Sequence, residues 1–227
     1  MTDLGARLSA IDERIADAAR AAGRDASEIT RIVVTKFHPA SLVQDLHALG
    51  VRDIGENRQQ ELTAKTADLA GLEGLRWHFI GQAQTKKAGA IRRSADVVHS
   101  VDRDRLADAL HRAADSDDVL DVLVQINLTA DPERGGVAPA EAERLAEHVM
   151  SLSSLRLRGI MGVAPLDEEP ASAFARLGGT ADAIRAIAPQ ATWISAGMTG
   201  DFEEAVSAGA THLRIGSAIT GPRLAQG

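Results

Sequence analysis

Lys36 ends the run Arg31-Ile-Val-Val-Thr35, and near the other end of the chain Arg214-Ile-Gly-Ser217 closes a second apolar run. Between them, Ser195-Ala-Gly-Met-Thr-Gly200 follows a short β-branched stretch. A lysine at the end of a buried strand loses hydration of its charged form, which favours the neutral amine that attacks carbonyls. Backbone amides in a glycine turn that opens a helix, expected here near Asp201, suit a phosphate. Arg214-Ile-Gly-Ser217 would supply the other half of such a site, with Gly216 allowing close backbone approach and Ser217 offering a hydroxyl and an amide. An amine at one strand mouth and an anion site at another point to a phosphorylated aldehyde held through an imine. Each part has a plainer reading, since strand-end lysines snorkel to water and glycine turns are common. The pairing gives the chemical reading its weight.

These residues need a scaffold that gathers strand ends. Short β-branched runs fall at Ile32 to Lys36, Asp53 to Glu56, Trp77 to Gly81, Val97 to Val101, Val122 to Leu128, Arg158 to Val163, Thr192 to Ala196 and His212 to Gly216. Between them lie helical patterns such as Ala40 to Leu49, Arg103 to Ala114, Pro139 to Leu152 and Ala171 to Ile187. Gly178-Gly179 reads as a break or tight turn within the last of these. A further helix, Leu4 to Ala22, precedes the first strand and stops at Gly23. Eight strand-helix units in 227 residues average about 28 apiece, the spacing of a compact (β/α)8 TIM-type barrel with an extra N-terminal helix. A doubly wound sheet would place a glycine-rich dinucleotide turn after the first strand, where this chain has Lys-Phe-His-Pro. In the barrel, Lys36, Glu56 with Asn57, Gln82, Asp102, Asn127, Met161, Ser195 and Arg214 all fall at carboxyl ends of strands, which is one mouth.

Composition narrows the function classes. With 32 Asp and Glu against 25 Lys and Arg, and no dense basic block, a nucleic-acid partner is not expected. The chain has no cysteine, which removes disulfides, thiol nucleophiles and thiolate metal sites, and no metal site is expected. It also has no tyrosine, which removes one class of general acid or base. No stretch reaches the roughly 18 apolar residues of a membrane span, and no signal segment opens the chain. A soluble cytoplasmic protein with one domain over residues 1–227 is the expectation.

The motifs Val34-Thr-Lys36, Ile54-Gly-Glu-Asn-Arg58, Trp77-His-Phe-Ile-Gly-Gln82, Leu157-Arg-Gly-Ile-Met161, Ser195-Ala-Gly-Met-Thr199 and Arg214-Ile-Gly-Ser217 occur in that order. The chain thereby resembles the YggS/PROSC-type pyridoxal phosphate homeostasis family, whose members are similar to the amino-terminal barrel of alanine racemase without its second domain. The resemblance implies that Lys36 carries pyridoxal 5'-phosphate as an internal aldimine. It places Ser195, Gly216 and Ser217 around the phosphate, with Gly197 and Met198 in the same turn, and Arg214 near the pyridine nitrogen. Asn57 and His78 come by the same resemblance as groups lining the pocket. Asn57 also reads as a helix cap, and His78 as a satisfied core histidine. Met161 and Met198 either flank the ring or fill gaps in the core. The chain departs from the family pattern at Ala83-Gln-Thr-Lys-Lys87 and at Thr220, neither of which touches the imine or phosphate residues.

A permanent guanidinium beside the ring nitrogen would keep it unprotonated and weaken the ring as an electron sink. The resemblance to alanine racemase implies that two-base racemisation also needs a tyrosine opposite the lysine, from a second domain. No residue is therefore assigned a catalytic role, and the resemblance implies storage, buffering or transfer of the cofactor, with apo forms of pyridoxal phosphate enzymes as acceptors and a monomer rather than a dimer. The alternatives are a weak amino-acid racemase or lyase on the same cofactor, and a barrel enzyme using the same lysine on a sugar phosphate.

Overall fold

The computed structural model describes residues 3–115 and 118–222. Eight parallel strands close a barrel in sequence order: β1 (Thr30–Val34), β2 (Asp53–Glu56), β3 (Arg76–Phe79), β4 (Val97–Val101), β5 (Leu120–Gln125), β6 (Leu155–Met161), β7 (Trp193–Ser195) and β8 (His212–Ile215), with β8 pairing back onto β1. Helices α1 (Asp3–Ala21), α2 (Ala40–Ala48), α3 (Gln59–Asp68), α4 (Ala88–Ser94), α5 (Asp104–Arg112), α6 (Ala142–Met150), α7 (Pro170–Ile187), α8 (Phe202–Ser207) and α9 (Ser217–Thr220) precede, separate and follow them. The expected TIM-type barrel and its extra leading helix are both present. Helix α1 packs on α8 and α9, and the Arg7 side chain donates to the Ile219 carbonyl at 2.7 Å. No helix among the described residues is long and apolar enough to cross a membrane.

Strands of a parallel barrel are covered on both faces, so they read as nearly continuous apolar runs, and alternation decides which side chains turn inward. Val33, Ile54, Phe79, Val98, Val124, Ile160, Leu213 and Ile215 join the main apolar core, where they meet helix residues such as Leu46, Leu62, Leu106, Leu145 and Leu177. A small apolar cluster, Val97, Leu123 and Met161 with Trp193 against it, lies inside the barrel apart from the main core. Polar groups fill much of the remainder. A hydrogen bond from β4 to β7, strands that are not neighbours in the sheet, can only cross the lumen, and His99 makes one to Ser195 at 2.9 Å.

Two expectations need correction. Gly178-Gly179 breaks nothing, because α7 runs through both and buries Ala173, Phe174, Leu177, Ala181 and Ile184. A Cβ on Gly178 would come within 3.7 Å of the Ala208 carbonyl, so a small residue there lets α7 lie close to the end of α8. The sixth strand begins at Leu155 rather than Arg158, because Leu155 and Leu157 are buried while Arg156 between them reaches the Asp121 carboxylate at the barrel floor. Other strand ends differ by a residue or a few, which leaves Lys36 two residues beyond β1.

Candidate functional site

The carboxyl ends of β1, β2, β7 and β8 surround a cavity of about 400 Å³, lined by Lys36, His38, Asn57, Met198, Arg214 and Ser217 among others. Lys36 is aimed by a turn that the backbone does not adopt freely. Phe37 has φ of 66°, the left-handed region, which costs a non-glycine residue roughly 1–2 kcal/mol. Two contacts hold it there. Its N–H donates to Glu61 Oε2 at 2.7 Å, and the Arg58 guanidinium lies 4.6 Å from the centre of its ring.

A second lysine stands behind the same strand end and is fully committed. Lys65 Nζ donates to Glu56 Oε1 at 2.5 Å and to the Thr35 carbonyl at 2.8 Å, while Thr35 Oγ1 donates to the same carboxylate at 2.6 Å. Glu56 thus turns towards α3 and away from the mouth, and burial raises its pKa despite the Lys65 charge. Lys36, by contrast, has no ion-pair partner among the described residues. His38 faces the same cavity, and burial, reinforced by the Lys65 charge and opposed by Glu61, lowers its pKa and favours the neutral ring.

Two glycines let the opposite walls close. A Cβ on Gly81 would lie 1.9 Å from the Asn57 carbonyl, so only glycine allows the β3 and β2 ends to meet there. Gly197 has φ of +86°, and a Cβ on it would lie 2.8 Å from Ala205 Cβ and 2.9 Å from Phe202 Cα. The turn after β7 is partly self-satisfied, since the Met198 amide donates to Asp201 Oδ1 at 2.6 Å. Among the described residues, the amides of Thr199, Gly200 and Ser217 have no protein acceptor.

Arg214 forms the cavity's inner wall. It is buried, its Nη1 donates to Ser195 Oγ at 2.6 Å and its Nη2 to the Gly162 carbonyl at 2.9 Å. Burial lowers its pKa to about 10, partly opposed by Asp201, so it stays charged at neutral pH. No carboxylate among the described residues is in ion-pair contact with it. Nearby, Asn57 Oδ1 is buried with no hydrogen-bond partner, a state that costs about 1–3 kcal/mol unless a ligand supplies a donor.

Of the residues singled out from the sequence, Lys36, Asn57, Met198, Arg214, Gly216 and Ser217 line one cavity. The other four lie behind or beneath it. Ser195 is buried under Arg214, Gly197 lies against α8, and Met161 belongs to the small apolar cluster inside the barrel. His78 points into the lumen and bonds to Asp53 and His99. Sequence reasoning passed over His38 at the cavity and His99 beneath it, whereas Thr199 and Gly200 belong to the glycine turn it read as an anion site. His38 was visible in the Lys-Phe-His-Pro stop after the first strand. His99 was visible as a polar residue set, with Ser100, in the valine-rich run Val97 to Val101.

The barrel and its mouth place the chain in a broad class: the family model described as alanine racemase, N-terminal domain, matches residues 6–223. The pyridoxal phosphate homeostasis protein of Mycobacterium tuberculosis is 41% identical over 241 residues, covering 98% of this chain and 93% of that one. The protein of the same description from Escherichia coli K12 is 36% identical over 229 residues, covering 98% of each. Among solved structures, PipY of Synechococcus elongatus PCC7942 with PLP bound is 32% identical with a TM-score of 0.84, covering 96% of this chain and all of that one. The chain belongs to the pyridoxal phosphate homeostasis protein family.

Proposed function

We propose that the barrel mouth binds pyridoxal 5'-phosphate, held covalently through Lys36, and that the protein stores, buffers or hands on this cofactor. The observation that carries the reading is the convergence, in one cavity, of an unpaired amine and a buried guanidinium with no carboxylate in contact. The cavity's chemistry matches the cofactor group by group. Lys36 Nζ would hold the aldehyde carbon as an imine, with one water released. The amides of Thr199, Gly200 and Ser217 suit the phosphate, to which the chain offers donors that no protein group uses. Asn57 Oδ1 suits the ring hydroxyl as an acceptor otherwise left unpaired. Arg214, which only donates, suits the lone pair of the ring nitrogen.

When bound, the cofactor supplies an electrophilic carbonyl and a ring able to take up electron density. In the proposed site Arg214 restrains the second property by keeping the ring nitrogen unprotonated, and the chain has no tyrosine to face Lys36 across the ring. The names of the relatives and the cofactor bound in PipY support the same reading.

Absorbance tests it. Purified protein mixed with pyridoxal phosphate should develop a band near the visible edge that survives desalting and is lost in Lys36→Ala. A protein that the cofactor cannot tint, or a Lys36→Ala variant that keeps the band, overturns the proposal. Incubation with single L-amino acids followed by chiral analysis should show turnover far below the roughly 1 per second of an ordinary enzyme.

A further inference from the structure

Beneath Arg214 an unbroken line of hydrogen bonds crosses the barrel. Arg214 Nη1 meets Ser195 Oγ at 2.6 Å, Ser195 Oγ meets His99 Nδ1 at 2.9 Å, His99 Nε2 meets His78 Nδ1 at 2.9 Å, and His78 Nε2 meets Asp53 Oδ1 at 2.9 Å. Both imidazoles and the serine are buried, and Asp53, the first residue of β2, is only partly so. The line therefore starts at the mouth and ends at the barrel floor, where Asp53 also borders a surface cavity with Arg31 and Arg52.

The two ends dictate its direction. A guanidinium has only donors and an ionised carboxylate only acceptors. Ser195 Oγ accepts from Arg214, and a neutral His99 whose Nε2 proton is used takes the serine proton at Nδ1. His99 must then carry its proton on Nε2 and give it to His78 Nδ1, and His78 must carry its proton on Nε2 and give it to Asp53. With both rings neutral, each step leaves one choice. The reverse arrangement needs a protonated Asp53 and leaves the Ser195 proton without a partner in the line.

Charges around the line agree with this assignment. Burial lowers the pKa of both histidines, with His78, His212 and Arg214 adding to the effect at His99, so both rings are neutral at pH 7. At Asp53 burial acts to raise the pKa, but the His78 hydrogen bond and the Arg76 charge help to outweigh it and keep the carboxylate ionised. Asp96 and Arg76 also face His78, with opposite effects.

We propose that Asp53, His78, His99 and Ser195 form a one-way hydrogen-bond relay that positions Arg214 at the mouth, with both histidines neutral and protonated at Nε2. The four are positioning residues, since none of them lines the cavity. The relay gives the buried cation a chain of aligned dipoles and a distant counter-charge where no carboxylate is in contact, and it links the mouth to a residue on the opposite face of the barrel. Its bearing on cofactor binding rests on the function proposed above, whereas the relay itself does not.

Two measurements test it. In the full-length protein without added cofactor at pH 7, ¹⁵N NMR of the histidine side chains, assigned with His78→Gln and His99→Gln, should show both rings as Nε2–H tautomers with Nδ1 an acceptor. An Nδ1–H tautomer or an imidazolium at either position overturns the relay, whether or not the protein binds pyridoxal phosphate. Titration of full-length variants with pyridoxal phosphate then reads the coupling. Asp53→Leu should weaken binding about fivefold to tenfold, the effect of losing one buried hydrogen bond, and Asp53→Asn, which keeps an acceptor oxygen, should recover most of that loss. Wild-type affinity in a folded Asp53→Leu protein, or no recovery in Asp53→Asn, overturns the positioning role. If Asp53→Leu does not fold, the same comparison between His99→Leu and His99→Gln decides it. A protein with the expected tautomers that pyridoxal phosphate fails to tint would sink the proposed function and leave the relay standing.

Discussion

His212 should make the fold lose stability steeply in mild acid. Its ring packs 4.2 Å from that of Trp193 on the inner face of β8, and its Nδ1 is bonded to Thr211 Oγ1 at 2.8 Å. Burial, with the Arg76 and Arg158 charges nearby, lowers its pKa from 6.5 to about 3. Above pH 6.5 the ring is neutral in the folded and unfolded chains alike, so its contribution to stability is fully present. Below 6.5 the unfolded chain takes up a proton that the folded chain refuses until about pH 3, and stability falls through that window. Each pH unit corresponds to about 1.4 kcal/mol, so the loss is roughly 2 kcal/mol by pH 5 and on the order of 5 kcal/mol by pH 3. A typical domain has about 5–15 kcal/mol in total, so this one ring brings the fold near its limit. His78 and His99 act in the same direction. Urea unfolding at pH 7, 6 and 5 measures the slope directly. His212→Phe keeps a ring against Trp193 and removes the titration, so its stability should fall less between pH 7 and 5, by about 2 kcal/mol. Equal pH slopes in the two proteins, or a wild type whose stability is flat over that range, would refute the reasoning.

Lys65→Met strands the buried Glu56 carboxylate and should cost about 3–5 kcal/mol in urea unfolding at pH 7, with much of it regained when Glu56→Gln is added. Gly81→Ala forces a methyl against the Asn57 carbonyl and should lower Tm by roughly 6–12 °C, the equivalent of about 3 kcal/mol in a chain of this size, as read by calorimetry. Glu61→Ala removes the carboxylate that holds the Phe37 turn, a hydrogen bond to a charged group worth about 1.5–3 kcal/mol, and should slow the appearance of the pyridoxal phosphate band while leaving the protein folded in circular dichroism.

The barrel was legible because most strands are short apolar runs rich in β-branched residues between stretches of helix formers, and that pattern survives errors of a few residues at each end. Lys36, Asn57, Arg214 and Ser217 were legible because a barrel places its strand ends in one mouth. The face of each strand was harder to read. In β4 the sequence shows Val97 and His99 on one side and Val98 on the other, but with both faces buried nothing local says which is the lumen. The partners settle it, and they lie in β3 and β7, about 20 and 96 residues away in sequence. The Met198 amide illustrates the same limit at short range: a glycine turn before an acidic residue reads as a free anion cradle, yet Asp201 has taken one of its donors. Gly178-Gly179 failed for a different reason, since packing of α7 on both neighbours outweighs a local helix preference of about 1 kcal/mol per glycine.

The contrast between the two lysines near β1 bears on what the mouth is for. Lys65 donates to the Thr35 carbonyl and to the Glu56 carboxylate in a closed pocket, so its charge is used up in holding β1, β2 and α3 together. Lys36, by contrast, has no ion-pair partner among the described residues. Arg214 makes a complementary case, a cation kept in the interior with dipoles but no carboxylate against it, which in a domain without a ligand is a cost with no structural return. Both residues become economical once an aldehyde and an aromatic nitrogen lie between them. In the proposed site such a ligand would be held at both ends, and a guanidinium at the ring nitrogen would also keep the ring from accepting charge. A site that made its cofactor reactive would be built the other way round, with an acid at that nitrogen, and this chain has committed the carboxylates of Glu56 and Asp201 elsewhere, Glu56 to Lys65 and Asp201 to the Met198 amide.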